Sequence, residues 1–496
     1  MKGCILLQGN YAKIGHTLAI QLKKELGDVD FCSYIISPRA KRVMEEQSDF
    51  KYTGYLFDGD VHEEYTKENI DADYLADMEA EFGDPNFWRY LYTDRRIMMS
   101  FDSLDQRTMG MDPLYSHEDM QKIVQVRLRK TIEFLEKEKP NFIVFFAIGA
   151  IGTMMLYHIA KRMGIKVLVI DAARVGDNMV VTEDFNTFSD LGRFFKELRN
   201  GDRKSNNIAE AKKLLTDFRK THSLSLGYMA TTEKPEPVTF KKRFLTYFKI
   251  WQESHRHNRE HDYAKPASLF RFFWVKIADR FRRLRGFHDL VSLPNKADKF
   301  AFFPLHFEPE TSLLNIAPFA SDQIAIVRMI ARSLPINFKL YVKEHPAMVH
   351  KRERSYYKEL LKIPNVILVD PKIKSFDLIL DAKLILTITS TTGWESLLLG
   401  KPVISFGHIF YNEYPGVRYS ATPELLPQLV NDQLNGFVPD EDSIIDFVAS
   451  LMDIGMVQFS FYALERESDF ANVRNNRGIQ DMAKLISQKL SHNYSV

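Results

Sequence analysis

The chain has 496 residues, of which 45% are hydrophobic and 27% charged. That is enough for about three domain equivalents with ample cores, and it excludes a disordered or fibrous chain. A formal net charge of +2 gives no global case for nucleic-acid binding, and two cysteines, Cys4 and Cys32, exclude a disulfide framework.

Both cysteines are expected to pack as small hydrophobes, as in a reducing, cytoplasmic compartment. No cysteine–histidine spacing suggests zinc, and no repeat of solenoid period is present. In chain order, Met1 to Gly15 holds an apolar run too short for a signal peptide. It reads as a strand at Cys4–Gln8 and a turn. Gln8, Gly9 and Asn10 close that strand without forming a GxGxxG phosphate loop. Further strands are expected at Asp30–Ile36, Phe142–Phe146 and Val167–Ile170. Between them, Tyr92–Arg96 sets the carboxylate of Asp94 beside Arg95 and Arg96. Asp94 is a candidate for taking a hydroxyl proton; the alternative for any such carboxylate is an ion pair or a helix cap. Phe142 to Ala160 contains no formally charged residue but is punctuated by Gly149 and Gly152. It is expected to be a buried strand and a helix of a βαβ unit, not a membrane span. Asp171, Arg174, Asp177 and Glu183 follow the fourth strand and line the same mouth. Residues 1–190 thus form one α/β domain, with Gln8, Asn10, Arg95, Arg174 and Asp177 as acceptor-side candidates.

Residues 191–295 read as a helical insertion of unusual composition. Positions 241–286 hold thirteen Lys/Arg and four Asp/Glu, a local net charge of +9. Phe270, Trp274, Ile277, Phe281 and Leu284 follow helical spacing and make one apolar face. Lys276, Arg280, Arg282, Arg283 and Arg285 flank it. A basic amphipathic helix of this kind suits an anionic membrane surface. An inserted helical hairpin packed on the cleft, with its cations solvated, is the alternative, and nucleic acid the weaker one.

Residues 296–465 carry the most informative stretch, Tyr341 to Tyr411. A strand ends in Lys343, Glu344, His345 and Pro346. A second strand lies within Lys362–Asp370. Lys383–Gly407 then reads as strand, hydroxyl-rich turn, short helix and strand. Ligands collect at the carboxyl ends of parallel strands, so His345 and the turn Ser390, Thr391, Thr392 and Gly393 should face one crevice. The hydroxyls can cap the following helix, whose free N–H groups and partial positive charge suit phosphate. Gly393 would admit a ligand close to the backbone. Glu395, one turn in, would accept from a sugar hydroxyl. His345, kept out of a helix by Pro346, would donate to a phosphate oxygen. The upstream run Phe302–Ser312 reads as a strand and loop. It places His306 against the base or sugar, and offers Glu308 and Glu310 as catalytic carboxylates. No DxD-like pair stands at a strand end here, so no metal is expected.

These segments, KEHP at Lys343–Pro346, TSTTGWESLLLGKPVISFG at Thr389–Gly407, Phe410-Tyr411 and FFPLHFEPETS at Phe302–Ser312, resemble the bacterial capsule polysaccharide synthesis family. That family includes CMP-Kdo-using transferases of capsule export systems. The resemblance weakens elsewhere in the chain. A His-Pro pair before a Ser/Thr-rich turn is also similar to GT-B sialyltransferases and to CDP-glycerol-dependent teichoic acid polymerases. The resemblance implies a GT-B fold: α/β, two Rossmann-like domains facing a cleft, and a final segment, 466–496, whose helix crosses back to the first domain. It implies a metal-independent glycosyltransferase of cell-surface polysaccharide synthesis, without a cofactor. The donor would be a CMP- or UDP-linked sugar and the acceptor a glycan or lipid-linked glycan, at the inner face of the cell membrane. Lys343, His345, Ser390, Thr391, Thr392, Gly393, Glu395 and His306 would bind the donor. His345, Asp94, Glu308 and Glu310 would supply the catalysis. The rival readings are a CDP-activated polyol-phosphate transferase and a non-catalytic assembly factor that kept the fold.

Overall fold

The computed structural model describes residues 1–47, 50–98, 113, 115–224, 245, 248, 252, 277, 280–282, 284–467 and 469–491. The chain divides into two α/β units, one built on Met1–Ser189 and Gly455–Val496, the other on Asp190–Ser223 and Ser268–Ile454. Each is Rossmann-like.

The first unit contains β1 (Lys2–Leu7), β2 (Asp30–Ile35), β3 (Tyr55–Phe57), β4 (Phe142–Phe145), β5 (Lys166–Ala172) and β6 (Asn178–Thr182). Strands β1 to β5 run parallel, and β6 returns antiparallel to β5. β1 and β4 are continuous apolar runs because helices cover both faces of the sheet. Accordingly, every residue of β4 and the last five of β1 are buried. The uncharged stretch from Phe142 resolves into β4 and the helix Ile151–Arg162, as its glycines imply. Among the described residues no helix is long and apolar enough to cross a membrane. Cys4 and Cys32 are register partners across β1 and β2, both buried and both free thiols.

The second unit follows, with β7 (Lys299–Pro304), β8 (Phe338–Lys343), β9 (Val366–Val369), β10 (Leu384–Thr387), β11 (Val403–Ser405) and β12 (Val417–Tyr419). All six are parallel, in the order β12-β11-β10-β7-β8-β9. The chain winds from β7 to one side through β8 and β9. It then restarts on the other side with β10, so the topological switch point lies between β7 and β10. The expected insertion starting at 191 needs amending. Helices Leu191–Asn200 and Ile208–Thr221 pack on helix Glu441–Asp453 as part of this unit. Arg199 pairs there with Asp440 and Asp446, and Arg219 with Glu441. Most of 225–276 lies outside the described residues, including Phe270, Trp274 and Lys276 of the basic aromatic stretch, as does Arg283.

From Gly455 the chain returns to the first unit. Strand β13 (Val457–Gln458) pairs antiparallel with β6 and completes a seven-stranded sheet, β13-β6-β5-β4-β1-β2-β3. Helix Arg477–Ser491 lies along helix Ala12–Leu26. Its Met482, Ala483, Ile486 and Leu490 enter the core that Ile5, Leu18 and Leu22 share.

Candidate functional site

The carboxyl ends of β7, β8 and β10 carry three short polar segments, and His306 joins two of them. His306 follows β7 and is buried, and its Nε2 accepts from the Thr389 N–H at 3.1 Å. The ring is therefore protonated on Nδ1. Burial, aided by His345 and Arg352 nearby, lowers its pKa to about 3. His306 is thus a neutral brace that ties the β7 loop to the turn after β10. The internal bond engages Nε2 alone, and Nδ1 is buried without a hydrogen-bond partner among the described residues.

His345 ends β8. Its Nδ1 accepts from the Ala347 N–H at 3.2 Å, so the proton of the neutral ring sits on Nε2. Burial, with the charges of Lys343, Arg352 and Lys351, holds its pKa at about 4. Near neutrality His345 offers a hydrogen bond from Nε2 and no positive charge. The field expected from an imidazolium has to come from elsewhere.

Ser390 caps helix Thr391–Leu398, its Oγ accepting from the Thr392 N–H at 3.1 Å. The Ser390 carbonyl accepts from the Tyr411 hydroxyl at 3.0 Å. Gly393 is needed for packing. A Cβ there would lie 2.7 Å from Tyr411 Oη and 2.9 Å from Thr387 Cγ2. Thr392, Gly393 and Trp394 are buried, whereas Thr391 and Glu395 are half-exposed. Four residues apart, those two share the open face of the helix. Burial pushes the Glu395 carboxyl up to about 7, so it titrates where a general acid or base is effective.

A buried ion-pair network holds the loops after β7 and β8. Arg352 lies 2.7 Å from Glu308 and 3.1 Å from Glu344, and also donates to the His306 carbonyl. Tyr357 donates to Glu344 at 2.8 Å, and Gln323 donates to Glu308. Burial raises both carboxyls, and Arg352 opposes the rise. Glu308, expected as a catalytic carboxylate, has both oxygens engaged and braces the loop. Glu310 begins helix Thr311–Ile316, half-buried. Lys343 is buried at the end of β8 and donates to Ser375 at 3.2 Å, toward β9 and away from the Ser390 turn. Arg352 was not singled out in the sequence, where it lies inside the charged run Lys351–Arg354.

The acceptor-side candidates gather at the carboxyl edge of the first sheet. Gln8 follows β1, and its Oε1 is enclosed without a hydrogen-bond partner among the described residues. Asn10 lies in the turn Gly9–Tyr11, its side chain outside the described residues. Arg174, at φ +59°, and Asp177 form the turn between β5 and β6. Arg95 is half-buried in helix Arg95–Met98. Asp94 is 1% exposed and caps another helix, accepting from the Ile151 N–H at 3.2 Å and pairing with Arg96 at 3.3 Å. Burial would raise its pKa, but Arg96 outweighs burial and holds it below the usual range. A committed, ionised carboxylate is a poor general base, so Asp94 reads as a helix cap. Among the described residues no group of three or more His, Cys, Asp or Glu is placed to hold a metal ion.

Residues 219–427, which include every strand of the second sheet, match the family model described as "Capsule polysaccharide biosynthesis protein". Over this segment, a little over two fifths of the chain, the protein is similar to that family. Protein FixF of Sinorhizobium fredii is 29% identical over 168 residues, which are 33% of this chain and 40% of that protein. The chain therefore spans well under two thirds of that relative's length. Similar solved structures include KpsC of Thermosulfurimonas dismutans, a beta Kdo 2,4 transferase. It is 13% identical, with 63% of this chain and 80% of that chain covered and a TM-score of 0.36. Another is the UDP-GlcNAc 2-epimerase of Neisseria meningitidis bound to UDP-GlcNAc, at 12% identity, 99% and 100% coverage and a TM-score of 0.27.

Proposed function

We propose that the chain is a glycosyltransferase of capsule-type polysaccharide synthesis that takes its sugar from a nucleotide-activated donor. The observation that carries this reading is the placement of two donors at the switch-point edge of the second sheet. These are the neutral Nε2–H of His345 and the start of helix Thr391–Leu398. In this reading the donor phosphates meet the helix start, whose N–H groups and dipole supply the positive field. His345 donates to the oxygen on which charge develops as the sugar leaves. Glu395 accepts from a sugar hydroxyl. The acceptor, a glycan or lipid-linked glycan, is assigned to the first unit's carboxyl edge, with Gln8, Arg95, Arg174 and Asp177. The family match supports the capsule context, and the site geometry supports the phosphate.

A thermal-shift screen over CMP, CDP, UDP and GDP tests the reading, because a ligand that binds only the folded state raises its melting temperature. One nucleotide is expected to stabilise the protein while its nucleoside does not. No response to any nucleotide would remove the donor site. Sugar transfer from the matching donor is expected to survive EDTA, since the helix end supplies the field. Abolition by EDTA with rescue by Mg²⁺ would replace this mechanism with a metal-assisted one.

Glu395 gives the pH dependence. Its folded-state pKa of about 7 lies above the ordinary 4.5. The folded state therefore holds its proton more tightly, and that stabilisation is lost as pH rises through 7. Glu395→Gln stays neutral throughout and should gain stability relative to the wild type between pH 5 and pH 8. Urea unfolding at the two pH values measures this. An equal difference at both would show that Glu395 ionises normally.

A further inference from the structure

The first unit holds a recess of its own, built from residues that neither the donor nor the acceptor assignment uses. A cavity of about 250 Å³ opens between helices Ala72–Phe82, Phe87–Thr93 and His117–Glu138. Its floor is apolar, since Phe87, Leu91, Met120 and Val124 line it and are buried. Its rim is aromatic. Trp88 is 40% exposed, and its ring lies parallel to that of His117, with 5.6 Å between centres and 11° between planes. Tyr92, one turn on and 54% exposed, continues that surface 6.1 Å from Trp88. Three polar side chains at the cavity have hydrogen-bonding capacity left over. Glu79 Oε1 accepts from the Phe87 N–H at 2.8 Å, and its Oε2 has no partner among the described residues. The Gln121 amide and the His117 ring make no hydrogen bond among them either.

An apolar floor, a flat aromatic wall and a few convergent polar groups are the make-up of a small-molecule site. The volume is below the range of drug-sized ligands, which suits one ring and not a nucleotide. No Lys or Arg lines the cavity and Glu79 is a carboxylate, so a phosphorylated or acidic ligand meets no countercharge. A neutral pyranose fits all three conditions. Its C–H face lies against an aromatic ring, and its hydroxyls both donate and accept. Location agrees. Helix Phe87–Thr93 runs into Asp94, which caps helix Ile151–Arg162 just beyond the carboxyl end of β4. The cavity therefore flanks the edge to which the acceptor is assigned. We propose that it holds a neutral sugar unit of the acceptor glycan, away from the unit that reacts, with Trp88 as the stacking platform and Glu79, Gln121 and His117 as hydroxyl contacts. The inference rests on the reading of the acceptor as a glycan.

The test is saturation-transfer NMR on the full chain, without nucleotide, with the methyl β-glycosides of glucose, galactose, N-acetylglucosamine and glucuronic acid as probes. At least one neutral glycoside is expected to receive saturation, strongest on the protons of one ring face. Trp88→Ala should weaken that binding about tenfold with the thermal midpoint unchanged, since Trp88 is at the surface. Gln121→Leu, which keeps the volume and removes the amide, should weaken it several-fold. No contact with any neutral glycoside would overturn the proposal, and so would tighter binding of the glucuronide than of the glucoside. Unchanged binding by folded Trp88→Ala would overturn it as well. If that variant does not fold, wild-type affinity in Gln121→Leu is the overturning result. Failure here is separable from failure of the donor site. Nucleotide stabilisation without sugar contact removes this inference alone, and sugar contact without nucleotide stabilisation supports it while the donor site falls.

Discussion

Replacing Arg352 by alanine should destabilise the second unit by about 3–5 kcal/mol, the cost of stranding buried carboxylates without their partner. Arg352 is 8% exposed, and it joins Glu344, 1% exposed, to Glu308 and to the His306 carbonyl. Removing it leaves two carboxyls facing each other across a dry gap, both already raised by burial. They would take up protons or draw in water, and either response frees the loops after β7 and β8. Urea unfolding followed by a second-unit probe such as Trp394 measures the loss. Arg352→Met combined with Glu344→Gln and Glu308→Gln should recover much of it, because a neutral network of similar volume leaves no charge uncompensated. A loss under about 1 kcal/mol for Arg352→Ala would show that the pairs behave as surface ion pairs do.

His345→Ala should lower turnover about a hundredfold or more, the usual effect of removing one preorganised donor to a developing charge. The protein should stay folded, since His345 is half-buried and its side-chain bond among the described residues closes the short turn Pro346–Met348. The pKa of about 4 sharpens the expectation. The donor is the neutral imidazole, so the wild-type rate should show no inflection near pH 6.5 from this residue. His345→Asn, which keeps an N–H, should retain more activity than His345→Ala. Wild-type turnover in a folded His345→Ala variant would end the assignment.

Much of this molecule was legible before folding was considered. The apolar runs at Phe142–Phe145 and Leu384–Thr387 announced strands buried on both faces, because parallel sheets leave neither face to solvent. The Ser390–Thr392 hydroxyls announced a helix start, because capping is local chemistry. Helices Leu191–Asn200 and Ile208–Thr221 belong to the second unit and not to an insertion, because the contacts that assign them come from helix Glu441–Asp453, more than two hundred positions away. Pattern within a segment carries no trace of such partners.

The sequence by itself therefore determined the parallel α/β wiring, the turn at Ser390 and the strand-end position of His345, because periodicity and capping act within a few residues. Only the tertiary structure decided what those residues do. His306 braces Thr389 from 83 positions away, Arg352 binds Glu308 across 44, and Gly393 makes room for Tyr411. Charge state belongs to the same category. His345 and Glu395 titrate near 4 and 7 because burial strips water from a group, and burial is made by the whole fold.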